Sequence, residues 1–291
     1  MKLVIAATPK VAIPAIELLR KSNQVTIVTQ PDKPSGRGKH LKPSDIAAHY
    51  PESHKPLNDE ELSGLLSDSD LLITIGFGKL LSNKILDIPR YGGINLHFSL
   101  LPRWRGAAPV QRAIEAGDKL TGVTIFQMDS GMDTGPIWVQ KEFAIQYGMD
   151  SIELFSELSH LGATALETAI EIIKAGAIPT PQSGAPTIAK KVTKAECAIV
   201  WNDDSEKIIR KIKAFAFNPG VTARIRGQLV KIEDARISIN KLPSGQLNSK
   251  GEVGTRDGSI VLLKVTPAGK RTMTAQEWLN GFKPQVGECF E

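Results

Sequence analysis

The sequence predicts an α/β domain followed by a smaller β-barrel. Continuous apolar runs at Lys2–Ala7 and Leu71–Ile75 are typical of strands buried on both faces of a parallel sheet. From residue 221 onwards the pattern changes to short β-like runs separated by turn residues, which is typical of a small barrel. We therefore expect a Rossmann-like, mostly parallel sheet with helices on both faces at 1–176, a linker at 177–194, and a smaller OB-like C-terminal barrel at 195–291.

Composition places the chain among globular proteins. It has 291 residues, of which 41% are hydrophobic and 23% charged. No apolar run reaches membrane-spanning length and the first residues lack the pattern of a signal peptide, so we expect a cytoplasmic protein. The two cysteines, Cys197 and Cys289, lie far apart in the sequence, which indicates a reducing compartment rather than a disulfide framework.

The positive charge is concentrated in the last third of the chain. Residues 1–189 carry 18 basic and 20 acidic residues, whereas residues 190–291 carry 18 basic and 11 acidic residues. The net charges are therefore −2 and +7. A basic surface is common in soluble domains, but a basic module joined to a nearly neutral one favours a polyanion bound beside the site of chemistry.

Periodicity predicts the order of the elements. Residues 12–22 have helical spacing, 25–29 are β-branched, and Asn58 with Glu61 forms a capping-box pattern that opens a helix ending near Leu66. Further helices are predicted at 44–50, 110–116, 151–173, 205–215 and 275–282. Further strands are predicted at 121–128, 137–143, 221–225, 229–232, 235–239, 251–255 and 260–265.

A basic segment interrupts the first domain at residues 30–43. Its prolines, glycines and basic residues predict a mobile loop rather than a packed element. Gly38-Lys39 suggests a phosphate loop, but Lys33 and His40 stand where that motif needs glycine and a hydroxyl residue, which excludes it. Two interpretations stay open, an ordinary surface loop and a basic finger that contacts nucleic-acid phosphates.

Asn95 and His97 form the candidate centre of chemistry. Side chains two residues apart on a strand point to the same side, and ligands of open α/β sheets bind at the carboxyl ends of strands. An asparagine can hold a carbonyl oxygen, and a histidine can take a proton near neutral pH. Taken alone, Asn-x-His is more often a strand end whose side chains bind the neighbouring loop.

Two glycine-containing turns are further candidates. Asp133 lies in an acidic turn at 129–136, where it either bonds the local backbone or takes part in chemistry. The spacing of Asp129 and Asp133 suggests a metal site, but there is no nearby cluster of His or Glu, so we expect no metal. Gly76-Phe77-Gly78 follows a predicted strand, where it either makes a turn or admits a ligand close to the backbone.

The run from Asn95 to Pro109, Asn-Leu-His-Phe-Ser-Leu-Leu-Pro-Arg-Trp-Arg-Gly-Ala-Ala-Pro, resembles the signature of formyltransferases that use 10-formyltetrahydrofolate. Its second half and the Asp133-Thr134-Gly135 turn are similar to those of the methionyl-tRNA formyltransferases. The resemblance implies formyl transfer to methionine on initiator tRNA, with 10-formyltetrahydrofolate as co-substrate. It also implies that Asn95 and His97 contact the formyl oxygen, while Asp133 supports His97, orients the imidazole and favours its charged form.

The same resemblance implies the binding residues. It places Ser99, Leu100, Leu101 and Pro102 along the folate and Phe77 at the wall of the pterin pocket. It matches Arg37 to the arginine of a loop that enters the acceptor end of the tRNA. Basic residues of the loop, the linker and the helix after it complete the expected tRNA contacts: Lys39, Lys190, Lys191, Lys207, Arg210 and Lys211. We expect a monomer.

Phe98 and Phe77 depart from the family pattern, which usually has a small residue and a tyrosine there. Two rival functions stay open. One is another formyl-folate enzyme, acting on a nucleotide-sugar amine or hydrolysing the folate, and the other is a non-catalytic RNA-binding module whose basic barrel is the functional part.

Overall fold

The computed structural model describes residues 1–35, 40–216 and 219–291. Arg37 and Lys39, both predicted to contact tRNA, lie outside the described residues. The strands are β1 Lys2–Ala7, β2 Gln24–Val28, β3 Lys33–Ser35, β4 His40–Lys42, β5 Leu71–Ile75, β6 Gly93–His97, β7 Arg105–Gly106, β8 Leu120–Gln127, β9 Ile137–Ala144, β10 Ile188–Ala189, β11 Val221–Ile225, β12 Gln228–Ser238, β13 Glu252–Gly254, β14 Ser259–Pro267 and β15 Met273–Thr274. The α-helices are α1 Ile13–Leu19, α2 Asp45–His49, α3 Asp59–Leu66, α4 Asn83–Leu86, α5 Pro109–Ala116, α6 Ser151–Lys174, α7 Ser205–Ala214 and α8 Ala275–Phe282.

The chain forms two compact units. The first contains Met1–Pro109, Leu120–Ala144 and Phe155–Ala189, and the second contains Val110–Lys119, Ile145–Leu154 and Lys190–Glu291. The domain boundaries predicted above stay predictions.

The first unit is built on a six-stranded sheet in the order β2-β1-β5-β6-β8-β9. The pairs β2-β1, β1-β5 and β5-β6 are parallel, and β8 and β9 add antiparallel strands at one edge. Every residue of β5 is buried, as are residues 3–7 of β1. The predicted mostly parallel sheet is confirmed, and β6 lies at the change from parallel to antiparallel pairing.

Helix α3 begins as predicted, but only half of the capping box forms. The Asn58 side chain accepts a hydrogen bond from the backbone N–H of Glu61. The Glu61 carboxylate accepts from the N–H of Leu57, one residue before the position that a capping box requires. Asn58 alone therefore caps the helix.

The basic segment at 30–43 contains secondary structure that the sequence analysis did not predict. Strands β3 and β4 pair antiparallel, with Lys33 opposite Lys42 and Ser35 opposite His40. Their backbone groups find partners within the segment itself, which a pattern of side-chain types does not reveal. The described side chains of β3 and β4 are exposed, so the expectation of an unpacked segment holds for them.

The second unit contains an antiparallel sheet in the order β11-β12-β14-β13, with β15 also paired to β14. It curls into a half-barrel, which confirms the predicted class of the C-terminal fold. The predicted strands at 229–232 and 235–239 are one strand, β12, because the register shifts at Asp234 as a bulge instead of breaking the strand.

Candidate active site

Strand β6 places Asn95 and His97 on one side of the first unit's sheet, at the carboxyl end of the strand. Asn95 is half-buried and lies opposite Thr74 of the parallel strand β5. The Thr74 hydroxyl donates a hydrogen bond of 2.7 Å to Asn95 Oδ1. This bond occupies the amide oxygen, and within the described residues Asn95 Nδ2 makes no hydrogen bond. The N–H groups of the amide are therefore available to a ligand's carbonyl oxygen.

His97 is buried, with 6% of its surface exposed. Its Nε2 lies 2.8 Å from the carbonyl oxygen of Trp104. A carbonyl only accepts, so in the neutral imidazole Nε2 carries the hydrogen and Nδ1 has the lone pair. The loop after β6 thus fixes which nitrogen can take up a proton.

The Asp133 carboxylate completes the group. Its Oδ2 lies 3.7 Å from Nδ1 of His97 and accepts a hydrogen bond of 2.7 Å from the backbone N–H of Gly106. His97 and Asp133 therefore lie against each other, and Asn95 stands two residues before His97 on the same side of β6. The Gly106 N–H holds the carboxylate while leaving it facing the imidazole.

Burial sets the protonation of His97. Desolvation lowers the pKa of His97 below its ordinary value of 6.5, against the opposing effects of the Asp133 carboxylate and the Trp104 carbonyl. Asp133 by itself favours the charged imidazole, as expected. Desolvation has the larger effect, however, so the pKa of His97 is lowered overall. The imidazole is therefore neutral at pH 7, as a group that accepts a proton must be.

A segment of the predicted linker holds the loop that surrounds these side chains. Strand β10 pairs in parallel with β7, and Thr187 Oγ1 accepts a hydrogen bond of 2.8 Å from the N–H of Trp104. Gly106 has a φ of 114°, and a Cβ there would lie 2.9 Å from the carbonyl oxygen of Ala189. Only glycine therefore lets the two segments approach this closely.

Comparison with known proteins identifies the family. Residues 1–170 match the formyl transferase family, and residues 191–283 match the formyl transferase C-terminal domain. The chain belongs to the formyl transferase family. One relative, a methionyl-tRNA formyltransferase of Arthrobacter sp., is 36% identical over 306 residues, covering 100% of both chains.

Two solved structures share the fold of this formyl transferase. HypX from Aquifex aeolicus, solved in complex with tetrahydrofolic acid, has a TM-score of 0.71 at 18% identity over 99% of this chain. The match covers 48% of HypX, so the chain spans about half of that protein's length. A methionyl-tRNA formyltransferase from Clostridium thermocellum has a TM-score of 0.59 at 17% identity, covering 84% of this chain and 96% of that one.

The residues predicted to bind folate in this formyl transferase lie partly in its core. Ser99 is buried, and its hydroxyl donates a hydrogen bond of 2.6 Å to the carbonyl of Arg103. Leu101 is also buried, whereas Leu100 and Pro102 are half-buried. Phe77 is 5% exposed and packs in a hydrophobic cluster. Their contacts with folate stay predictions, and the Ser99 hydroxyl acts within the loop.

The residues predicted to bind tRNA differ in exposure. Lys190, Lys191 and Lys207 are exposed, with Lys207 in an ion pair of 2.7 Å with Asp203. Arg210 and Lys211 of α7 are half-buried. These two side chains donate to backbone carbonyls of Glu115 and Ala198, respectively, because burial leaves their charges needing a partner within the unit.

Sequence reasoning missed the supporting roles of five residues: Thr74, Trp104, Gly106, Gln182 and Thr187. Several of them act through a backbone group, which side-chain patterns do not reveal. The pairing of β5 with β6 could have pointed to Thr74, because parallel neighbours present their carboxyl ends together.

Within 1–35, 40–216 and 219–291, no three His, Cys, Asp or Glu side chains gather closely enough to suggest a metal site. Over the same ranges no helix combines the length and apolar character needed to cross a bilayer.

Proposed function

We propose that this formyl transferase moves the formyl group of 10-formyltetrahydrofolate to the α-amino group of methionine on initiator Met-tRNA. The observation that carries the proposal is the buried neutral imidazole of His97 beside the Asp133 carboxylate, with the Asn95 amide two residues earlier on the same side of β6. The full-length similarity to proteins named methionyl-tRNA formyltransferase supports the choice of substrate.

Asn95 is the proposed donor to the formyl oxygen. Thr74 holds the amide oxygen, so the amide N–H groups face outward from that contact. As the amine attacks the formyl carbon, negative charge collects on the formyl oxygen. A donor held in place before the reaction stabilises that charge more than water does, because the protein dipole does not have to reorient.

His97 is the proposed acceptor of the amine proton. A methionine α-amino group titrates near 7.7–8.0 in a peptide, so a useful fraction is already a neutral nucleophile. Nδ1 of His97 has the free lone pair and can take the proton that the nitrogen loses after attack. Asp133 then stabilises the imidazolium across 3.7 Å.

The loop after β6 fits a folate co-substrate. Leu100 and Pro102, in the loop after Asn95, are half-buried and offer apolar surface, while the Asn95 amide offers a polar donor. When bound, 10-formyltetrahydrofolate supplies an activated formyl group whose leaving nitrogen ends with a proton. His97 can return to that nitrogen the proton it took from the amine, which leaves the imidazole neutral for the next cycle.

The basic C-terminal part of the chain, residues 190–291, is the proposed site for tRNA. The net charge of +7 over 190–291 and the exposed Lys190 and Lys191 support binding to phosphates. We propose a catalytic domain at 1–176, a linker at 177–194 and a tRNA-binding domain at 195–291, with Arg37 and Lys39 of the loop meeting the acceptor end. We further propose that the protein acts as a monomer in the cytoplasm.

The deciding experiment uses the purified full chain and 10-formyltetrahydrofolate labelled in the formyl group. We expect label to appear on Met-tRNA but not on free methionine or on a nucleotide-linked amino sugar. Transfer to the sugar alone would make the protein a sugar formyltransferase. Tight binding of tRNA with no transfer or hydrolysis of the donor would leave an RNA-binding protein instead.

A further inference from the structure

The side-chain amide of Gln182 makes four hydrogen bonds beside the candidate active site. Its Nε2 donates to the carbonyl oxygens of Asp133 and Gly135, at 2.9 and 2.8 Å. Its Oε1 accepts from Nε and Nη2 of Arg105, at 3.1 and 2.6 Å. A glutamine amide has two N–H groups and two lone pairs on its oxygen, and here all four are used.

These partners fix the orientation of the amide. Carbonyl oxygens only accept and a guanidinium only donates, so exchanging the amide oxygen and nitrogen would lose every bond. Gln182 is therefore a specific link between β7, which carries Arg105, and the turn that carries Asp133. A glutamine amide can donate to the two carbonyl oxygens and accept from the guanidinium at once, whereas a carboxylate can only accept from the guanidinium.

The backbone around Gln182 is held on both sides. Thr180 exchanges two backbone hydrogen bonds with Ile137 at the start of β9, at 2.7 and 2.9 Å. Thr187 accepts through its carbonyl from the N–H of Arg105 and donates through its own N–H to Pro102. Gln182 thus projects from a fixed strap, defined here as residues 180–189, and its amide has little freedom to follow a moving turn.

We propose that Gln182 is a positioning residue that fixes the Asp133 carboxylate against His97. Because this role is defined for the formyl transfer proposed above, it rests on that proposed function. Gln182 touches neither reacting group. It acts by holding the peptide carbonyl of Asp133, while the Gly106 N–H holds the carboxylate itself.

The need for such a clamp follows from the conformation of Asp133. Its φ is 55°, in the left-handed region where the Cβ crowds the following carbonyl oxygen. Two hydrogen bonds from one amide, to Asp133 and to Gly135, span this residue and oppose its relaxation. Without these hydrogen bonds, relaxation of Asp133 to a right-handed backbone conformation would move its carboxylate away from Nδ1 of His97.

The test measures the pKa of His97 directly, by NMR titration of the histidine ring signals. The chain has five histidines, and a His97→Gln variant assigns the relevant signal. Gln182→Met keeps the length of the side chain and removes all four hydrogen bonds. Gln146→Met is the control, because Gln146 is exposed and lies in the second unit.

We expect Gln182→Met to lower the pKa of His97 by about half a pH unit or more, because the retreating carboxylate no longer opposes desolvation. The control leaves it unchanged. In the formylation assay kcat falls about 10- to 100-fold, while KM for the folate stays within about twofold. Gln182→Glu keeps the guanidinium contact but loses both N–H groups, so we expect its kcat to fall by the same factor as that of Gln182→Met.

An unchanged His97 pKa in folded Gln182→Met overturns the proposal, even if activity falls, since that result describes a merely structural residue. If Gln182→Met does not fold, Gln182→Asn makes the same comparison with an amide one methylene shorter. A wild-type protein that does not formylate Met-tRNA would refute the proposed function. The titration would still decide whether Gln182 positions Asp133.

Discussion

The carbonyl oxygen of Trp104 lies 2.8 Å from Nε2 of His97, seven residues earlier in the chain. Trp104 has a φ of 62°, so the loop turns there in a left-handed conformation. Because the carbonyl can only accept, it keeps the hydrogen of the neutral imidazole on Nε2 and leaves Nδ1 to face Asp133. A backbone oxygen within the run from Asn95 to Pro109 thus determines that Nδ1, and not Nε2, is the ring nitrogen that can take up a proton.

Asn95→Ala should lower formyl transfer to Met-tRNA by about 100- to 1,000-fold, because it removes a donor to the developing oxyanion. Single-turnover formylation measures the chemical step, and a filter-binding assay measures the affinity for tRNA, which should be unchanged. Asn83→Ala, at an exposed position of α4, is the control. A loss of tRNA affinity in folded Asn95→Ala would contradict the proposed division of roles.

His97 should make the folded protein less stable in acid. Its pKa is lowered in the native state, so below pH 6.5 the unfolded chain binds a proton that the native chain does not. The free energy of unfolding therefore falls as the pH falls from 6.5 towards the native pKa, by up to about 1.4 kcal/mol per pH unit.

Urea unfolding of the intact chain between pH 5 and 7, roughly the range in which an ordinary histidine titrates, measures this loss of stability. His97→Asn removes the titrating group and should show a shallower dependence on pH. His160→Asn, at an exposed position of α6, should behave as wild type. Equal slopes for wild type and His97→Asn would show that burial does not suppress protonation of His97.

Asp133→Asn should lower the pKa of His97 further, because the carboxylate is the larger of the two effects that oppose desolvation. The amide oxygen can still accept from the Gly106 N–H, so the loop should keep its shape. We expect a rate loss of about 10- to 1,000-fold, since the imidazolium formed in the reaction loses its countercharge. NMR titration of His97 and single-turnover formylation check the two effects, and a raised pKa would contradict the assignment.

Replacing both Lys190 and Lys191 with alanine should weaken tRNA binding and make it less dependent on salt. For every phosphate that the variant no longer neutralises, the slope of log affinity against log salt should become shallower by about 0.7–0.9. Lys21→Ala with Lys84→Ala, both exposed in the first unit, makes the same change in net charge. If both double variants make the dependence of affinity on salt equally shallow, the effect reflects net charge and not a tRNA site at Lys190 and Lys191.

Arg112→Met should destabilise the second unit by about 2 kcal/mol. Its guanidinium side chain is 13% exposed and makes ion pairs of 2.7 Å with Glu115 and 3.0 Å with Glu196. It also donates to the carbonyl of Lys190, so its removal leaves several acceptors without a partner. Urea unfolding measures the change, with exposed Arg236→Met as the control. A change no larger than the control's would mean that these bonds are fully replaced by water.

The apolar strand pattern, the charge imbalance, the run from Asn95 to Pro109 and the acidic turn at 129–136 are local properties of the chain. Residue types alone therefore predicted the α/β class, the basic residues 190–291 and the three candidate side chains. Strands β1 and β5 were predictable because burial on both faces demands continuous apolar residues. The pairing of residues 33–35 with 40–42 and the joining of two predicted strands into β12 were not, because backbone pairing and a bulge leave little mark on residue types.

The way in which the candidate site is held together depends on the tertiary structure. The fold brought Asp133 to His97, placed Thr74 on the Asn95 amide, and set Gln182 of the predicted linker between Arg105 and the acidic turn. It also decided that His97 is neutral, because desolvation depends on everything packed around a side chain. Contacts between residues distant in the chain depend on the whole fold, and no local pattern contains them.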